Sequence, residues 1–466
     1  HSMLYAILFF LLRLPSLFEP YWYGDEGIYL AIGQAIRHGL LLFEKIHDNK
    51  PPTLYYLAAF ARTVFGFRLL LLLIMIPTIY FFYRLSHKFL KSKNLTQLST
   101  LLFLILTSIP LFEGNIANAE VFMLLPTVLA FLIFLNYQKS NLSFLFSGLL
   151  LGLAFTIKVP VAIEFAFLCL WLLIFYKSKI KNLFIFSLSF LIPITLYLIY
   201  FAAKGALQPF LFAALLQNFG YLSSWSTGSQ QASVASGGLL NRGIILLVLW
   251  IISFFLFHFK KISKNTLFLS GWFFAALFGA LLSGRPYPHY LIQILPPLCL
   301  LLFFFFKSKL WILFIFILFL ASLFRYKFYF YPVFTYYLNF YSYAIGKKNI
   351  DNYREYFGYD MSQNYLLADK IKSLTSPSDK IYVWGDQSYL FPLSDRLPAT
   401  KYIVSYHVVD FRAHDLTISE LKLATPKLII YYPQPSRPFQ ELDNFIANYY
   451  VLIDQIGPAY LFRFRE

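Results

Sequence analysis

The chain has 466 residues, 59% of them hydrophobic and 13% charged, and with a mean hydropathy of +0.62 this excludes an ordinary soluble domain. Apolar runs of membrane-spanning length recur over about the first 330 residues, so the chain reads as a polytopic membrane protein. The net charge of +17 does not point to nucleic acid, because much of the excess sits in short loops between apolar runs, where it orients a membrane protein.

The opening His-Ser-Met reads as a cloning remnant and is left out of fold reasoning. No cleavable signal peptide is expected, since the first run, Leu4 to Phe18, lacks a small-residue cleavage site. Counting runs of roughly 15–22 apolar residues places spans near 4–18, 68–84, 97–111, 120–137, 143–157, 159–176, 183–203, 242–258, 266–283, 289–306 and 310–325. The expected fold is therefore a polytopic α-helical membrane protein of about eleven transmembrane helices. Cys169 and Cys299 both fall inside apolar runs and read as small buried hydrophobes, neither a disulfide nor a metal pair.

With a cytoplasmic N-terminus, the inner loops hold Arg84, Lys88, Lys91, Lys93, Lys139, Lys177, Lys179, Lys181, Lys260, Lys261, Lys264, Lys307 and Lys309. The outer loops between the later spans hold only Lys158, Lys204, Arg242 and Arg285, the asymmetry that the positive-inside bias predicts. The loop 19–67, the Glu113–Glu120 turn, Lys158, the 204–241 loop, Arg285 to His289 and everything beyond residue 326 then share the outer face.

Within the 19–67 loop, Gly27–His38 and Thr53–Phe65 have helical patterning but are too short to span, so they are expected in the interface plane. The alternative joins Thr53–Arg84 into one long span. The 204–241 loop ends in SSWSTGSQQASVASGG, a flexible-loop composition. Residues 326–345 form an aromatic connector, and 346–466 read as a small soluble α/β domain on the outer side. Its expected strands are Lys380–Trp384, Tyr402–Tyr406, Lys427–Tyr432 and Tyr460–Phe464; its expected helices are Met361–Leu374, Ile418–Leu423 and Phe439–Asn448.

Charges next to hydrocarbon are costly and mark candidate functional groups. Asp25-Glu26 begin the first outer loop; a carboxylate there serves as a general base or a metal ligand, or caps the following helix. Lys50, held before Pro51-Pro52, meets a phosphate as a point charge or snorkels at the interface. Lys158 has only apolar neighbours until Glu164, which suits a lipid-linked phosphate or a plain turn between spans. Arg285, His289 and Tyr290 form a compact donor set for phosphate or pyrophosphate, with metal binding as the alternative for His289. Asn118 and Glu120, at the mouth of the fourth span, either bind sugar hydroxyls or cap the helix. One acidic base, several cations and a histidine on one face suit transfer from a phosphate-linked donor. No Gly-rich nucleotide loop is present.

Five stretches, YGDEGIYLAIGQAIRHG, DNKPPTLYYLAAFARTVFG, NAEVFMLLP, LLLGLAFTIKVP and RPYPHYLIQILPPL, run in order over most of residues 20–305. Together they resemble the membrane-integral C-type (GT-C) glycosyltransferases that use polyprenyl-phosphate sugars, a group that includes protein O-mannosyltransferases, aminoarabinose transferases and lipopolysaccharide-core galacturonosyl transferases. The first two stretches, at this spacing, carry most of the likeness.

The resemblance implies a GT-C module over 4–325 in the bacterial or archaeal cytoplasmic membrane, with an inverting hexosyl or pentosyl transfer on its outer face. It implies Asp25, with Glu26 beside it, as the base or acceptor-orienting carboxylate, and Lys50, Lys158, Arg285 and His289 at the donor phosphate. Asp48, Asn118 and Glu120 are expected on the substrates. The implied partners are a polyprenyl-phosphate-sugar donor, an extracytoplasmic acceptor (protein, lipid or glycan) and membrane lipids. The aminoarabinose enzymes carry an acidic residue just before the position of Lys50, whereas this chain has Asn49, with Asp48 one position earlier. This departure counts against a bound metal, so no cofactor is expected; a divalent metal is the alternative, with Glu26, Asp48 and His289 as candidate ligands. The competing readings are a lipid-linked oligosaccharide flippase and a non-catalytic assembly subunit.

Overall fold

A computed structural model describes residues 2–136, 141–176, 179–217, 238–304 and 309–465. Lys139, Lys177, Lys307 and nearly all of the Ser/Gly/Gln-rich tract lie outside the described residues. The chain divides into two compact units: residues 1–14, 69–204 and 215–333 make the first, and 15–68, 205–214 and 334–466 the second.

The first unit is helical. Each of the eleven expected spans contains a helix, among them Ser2–Arg13, Lys93–Leu106, Asn141–Phe155, Val161–Phe175, Lys179–Ala203, Lys264–Leu281 and Lys309–Arg325. Among the described residues, Val64–Leu90, Ala119–Asn136, Lys179–Ala203 and Leu239–His258 are long and apolar enough to cross a membrane. Two expected spans are broken at their starts. Residues 120–137 open with a four-residue helix, Ala119–Phe122, before Leu124–Asn136, and 289–306 open with a 3₁₀ turn, Pro288–Ile294, before Leu295–Phe304. Pro288 begins that turn and Pro296 and Pro297 begin the helix after it, so prolines punctuate the change in winding.

The helices of this unit meet through small residues and stacked rings. A Cβ on Gly148 or Gly152 would run into the backbone of Phe186 and Phe190, so the Gly-x-x-x-Gly spacing lets Asn141–Phe155 lie against Lys179–Ala203. Phe131 stacks on Trp272 with centroids 3.9 Å apart, and Phe82 on Phe103 at 4.0 Å. Buried Glu164 accepts from Trp272 Nε1 at 2.6 Å and Gln293 Nε2 at 2.7 Å, which ties three helical segments together.

In the second unit, helix Gly24–Arg37 packs on helix Thr53–Ala61. A Cβ at Gly33 would sit 2.6 Å from the Ala59 backbone nitrogen, so only glycine admits this approach. Residues Glu26 to Ala35 are buried without interruption. Helix Gly24–Arg37 is thus enclosed by protein over most of its length. Arg62, at φ 68°, ends Thr53–Ala61 before Val64–Leu90 begins, which rules out a single Thr53–Arg84 span.

The C-terminal part holds a five-stranded sheet of order β2-β1-β3-β5-β4, with β1 Lys380–Trp384, β2 Leu397–Pro398, β3 Leu428–Tyr431, β4 Tyr450–Ile456 and β5 Ala459–Phe464. The first three strands are parallel, and β5 and β4 close the edge antiparallel. Trp384, Ile429, Leu442, Phe445 and Tyr450 form the core under helices His414–Ala424 and Gln440–Tyr449. The expected strand Tyr402–Tyr406 is not one. The chain is extended only as far as Val404, where Ser405 N bonds the Gly385 carbonyl and helix Ser405–Asp410 begins. β4 is not legible in the sequence because it is an edge strand on which Val451, Leu452 and Ile453 are all exposed, so its apolar residues do not alternate with polar ones.

Candidate functional site

The expected site residues fall into two groups, one in each unit. In the second unit, Asp25 and Glu26 occupy the first turn of Gly24–Arg37, where helix polarity favours carboxylates. The residue at the cap is Tyr23, which makes no side-chain cap bond. Asp25 Oδ2 instead accepts from Lys50 Nζ at 3.1 Å and from Tyr29 Oη, one turn on, at 3.0 Å. The Lys50 ammonium also lies 4.7 Å from the centre of the Tyr29 ring, so the pair rests on an aromatic face. Asp25 keeps 30% of its side-chain surface and Lys50 17%, so a ligand can reach both.

Glu26 has a different environment. Its carboxylate takes Arg68 Nε at 2.9 Å and Nη2 at 2.5 Å, and Arg68 Nη1 lies 2.6 Å from Glu19. Glu19 in turn accepts from Tyr336 Oη and Trp22 Nε1. All three charged groups are buried. One guanidinium is thus shared by two carboxylates, Glu19 and Glu26, so the two adjacent acids Asp25 and Glu26 have different partners.

Asp48 is buried and accepts from Tyr55 Oη at 2.7 Å and Asn49 N at 2.8 Å. Tyr55 Oη accepts from Lys50 N at 3.1 Å, so Asp48 sets the backbone of the Lys50 turn through a tyrosine. Pro52 begins helix Thr53–Ala61 at φ −70°, as the double proline predicts. His407, from helix Ser405–Asp410, places Nε2 3.6 Å from Asp48 Oδ1. Burial pushes the His407 ring below the ordinary histidine range, and the Asp48 carboxylate opposes that shift. Sequence reasoning missed His407, because a histidine between Tyr406 and Val408 reads as core.

In the first unit, Lys158 follows helix Asn141–Phe155 and meets Glu120 Oε1 at 2.5 Å. Glu164, the nearer acid in sequence, is taken by Trp272 and Gln293. The Lys158 ammonium also lies over the Tyr290 ring at 4.8 Å. His289 Nε2 is 3.9 Å from the same Glu120 oxygen, and its Nδ1 is 2.5 Å from Glu113 Oε2. Tyr287 stacks on the His289 ring at 5.6 Å, and Tyr290 meets it edge-on at 4.5 Å. The result is a chain of alternating groups, part-buried Lys158 followed by buried Glu120, His289 and Glu113, in which each carboxylate has a nitrogen partner.

Glu113 carries no signal in the sequence as a site residue. It sits at φ 59° after the Pro110–Phe112 turn, and Arg13 holds this loop by donating to the carbonyls of Thr107 at 2.6 Å and Gly114 at 2.9 Å. Of the two capping candidates, Asn118 takes the cap by accepting from Ala119 N, while Glu120 faces Lys158. Arg285 precedes this group in the same segment, with its backbone N bonded to Ser283 Oγ.

Among the described residues, no three or more His, Cys, Asp or Glu side chains form a set able to hold a metal ion. Of the candidate ligands, Glu26 is engaged by Arg68, Asp48 by Tyr55, and His289 by Glu113.

No family model matches the sequence, and no curated protein matches it. Among solved structures, the chain is similar to the aminoarabinose transferase ArnT from Cupriavidus metallidurans bound to undecaprenyl phosphate, with a TM-score of 0.62 at 11% identity over 99% of this chain and 97% of that one. The apo form of the same protein aligns over the same shares at a TM-score of 0.51. An oligosaccharyltransferase from Archaeoglobus fulgidus, in complex with zinc and sulfate, follows at 0.45 and 16% identity over 92% of this chain and 67% of that one. The likeness read from the sequence is thus matched at the level of the fold, which this chain shares with ArnT over nearly its whole length.

Proposed function

We propose that this chain is a membrane-embedded glycosyltransferase that passes one sugar from a polyprenyl-phosphate donor to an acceptor on the extracytoplasmic side, with inversion. The observation that carries this reading is the pairing of two lysines with carboxylates, Lys50 with Asp25 and Lys158 with Glu120, within a fold shared with a protein that binds undecaprenyl phosphate. Each ammonium is held by a group that an incoming phosphate oxygen can replace.

In the proposed reaction the acceptor oxygen or nitrogen attacks the anomeric carbon from the face opposite the phosphate. The bond from that carbon to the phosphate oxygen breaks, and the polyprenyl phosphate leaves with the bonding pair. Asp25 takes the acceptor proton once Lys50 turns from it to an anion. Lys158 and Arg285 supply positive charge to the leaving phosphate, His289 offers it a ring nitrogen, and Tyr290 orients Lys158 through its ring. Asp48 acts on Lys50 through Tyr55, by fixing the turn that carries it.

Reconstituted full-length chain supplied with undecaprenyl-phosphate-linked sugars should release undecaprenyl phosphate in step with a glycosylated acceptor. Asp25→Asn should nearly abolish release. Translocation of the lipid-linked sugar without release would establish the flippase reading instead, and absence of both would leave the assembly subunit.

A further inference from the structure

The C-terminal sheet carries a polar cluster that the reaction above does not use. Parallel strands ordered β2-β1-β3 send one connection to each side of β1, so the β1/β3 junction is where the strand order reverses. In open parallel sheets, ligands bind in the crevice beyond the carboxyl ends of the strands at such a junction. Asp386 lies two residues beyond β1, Ser405 follows β2, and Gln434 and Arg437 follow β3.

The centre of this cluster is short of hydrogen-bond donors. Arg437 Nη1 is within reach of four acceptors: Asp386 Oδ2 at 2.7 Å, Ser405 Oγ at 2.8 Å, and Asp386 Oδ1 and Gln434 Oε1 at 2.9 Å. The Ser405 hydroxyl faces Asp386 Oδ1 at 2.7 Å and Gln434 Oε1 at 2.9 Å. One guanidinium nitrogen has two hydrogens and a hydroxyl has one, so acceptors outnumber donors at the centre. The rim is the reverse: among the described residues, Arg437 Nε and Nη2 and the Gln434 amide nitrogen make no hydrogen bond. Asp386 is 42% exposed and Arg437 29%, while Ser405 is buried beneath them. Tyr406 adds a ring 5.8 Å from the guanidinium.

We propose that Asp386, Ser405, Gln434 and Arg437 form a binding site for a neutral sugar ring. A hydroxyl donates and accepts at once, so vicinal hydroxyls supply hydrogens to the acceptor-rich centre and take them from the open donors of the rim. The paired Asp386 and Arg437 leave the cluster without net charge, which favours a neutral ligand over an anion. Helix Ser405–Asp410 places Ser405 in this cluster and His407 on Asp48, next to Lys50. Resting on the glycosyl-transfer reading, the bound sugar belongs to the acceptor.

The test is saturation-transfer NMR on the full chain in nanodiscs free of glycoside detergent. The probes are the methyl glycosides of glucose, galactose and mannose, together with N-acetylglucosamine. At least one should receive saturation from the parent chain. Arg437→Met and Gln434→Ala should each weaken its binding by about tenfold, the loss expected for one hydrogen bond of this kind, and leave undecaprenyl phosphate binding unchanged. Gln434→Ala guards against a folding effect of the arginine change. Lack of transfer to all four probes, or equal binding by parent and both variants, overturns the site. The measurement needs neither donor nor turnover, so a chain that binds sugar here but transfers none keeps the site and loses only the acceptor assignment.

Discussion

The Lys50 ammonium lies 3.1 Å from Asp25 Oδ2, the oxygen that also accepts from Tyr29 Oη. The ion pair occupies this carboxylate until the lysine moves to another anion, which frees the oxygen to accept a proton. Coupling donor binding to release of the base would keep Asp25 inactive until a phosphate arrives. Asp25→Asn should therefore lower transfer by on the order of 10²–10⁴-fold, the usual contribution of a general base. Undecaprenyl phosphate binding should stay equal or tighten, because Lys50 loses its competitor. Near-parental turnover by this variant would remove Asp25 from the chemistry.

The Glu120–Lys158 pair sets the same logic in the first unit. Lys158→Ala leaves Glu120 buried without its ammonium, so it should weaken undecaprenyl phosphate binding by tenfold or more and also lower the thermal midpoint. Glu120→Gln frees the lysine and should bind undecaprenyl phosphate at least as well as the parent. Arg285→Lys should recover only part of the binding lost in Arg285→Ala, since lysine lacks a bidentate fork. If Lys158→Ala and Arg285→Ala both bind and turn over donor normally, these residues are topological anchors.

Glu26 and Asp25 should separate cleanly by experiment. Glu26→Ala strips one carboxylate from buried Arg68 and should destabilise the protein by about 3–5 kcal/mol, the cost of breaking a buried ion pair. Asp25→Ala, at a part-exposed position, should leave thermal stability nearly unchanged while removing activity. A Glu26→Ala protein that melts like the parent but has lost transfer would assign Glu26 to catalysis instead.

His407 makes stability depend on pH. Its folded-state pKa lies below the ordinary 6.5, because burial outweighs the opposing carboxylates of Asp48, Asp410 and Asp25, and Lys50 adds to the depression. The unfolded chain therefore takes up the proton first as pH falls. The stabilisation is complete above pH 6.5 and is lost progressively as pH drops toward the depressed folded value. Thermal midpoints measured from about pH 7.5 to pH 5 should fall less steeply in His407→Gln than in the parent. Parallel curves would show that the ring carries no proton linkage.

Orientation is tested by cysteine labelling. Ser376→Cys, exposed in the C-terminal part of the second unit, should react with an impermeant reagent in cells whose outer barrier is permeabilised. Ser92→Cys, which caps helix Lys93–Leu106 in an expected inner loop, should not. The opposite pattern would invert the topology and put Asp25 on the cytoplasmic side.

Local chemistry was enough to read much of this protein from its sequence. Every expected span contains a helix because apolar runs of that length have few other folded solutions in a membrane. Helix Met361–Leu374 and strand Lys380–Trp384 were likewise legible from their periods. Asp25, Lys50, Lys158 and His289 stood out because an ionisable group beside hydrocarbon needs a partner. Which partner each one finds was decided only by tertiary packing. Glu26 meets an arginine 42 residues away, Lys158 meets Glu120 in preference to the nearer Glu164, and His407 reaches Asp48 from the far end of the chain. Glu113 enters the site through a left-handed turn that Arg13 pins from another helix, and Tyr402–Tyr406 fails as a strand because helix Ser405–Asp410 begins inside it. Hydropathy and period are properties of neighbours in the chain, whereas ion pairing and strand pairing are properties of neighbours in space, and the fold alone brings those together.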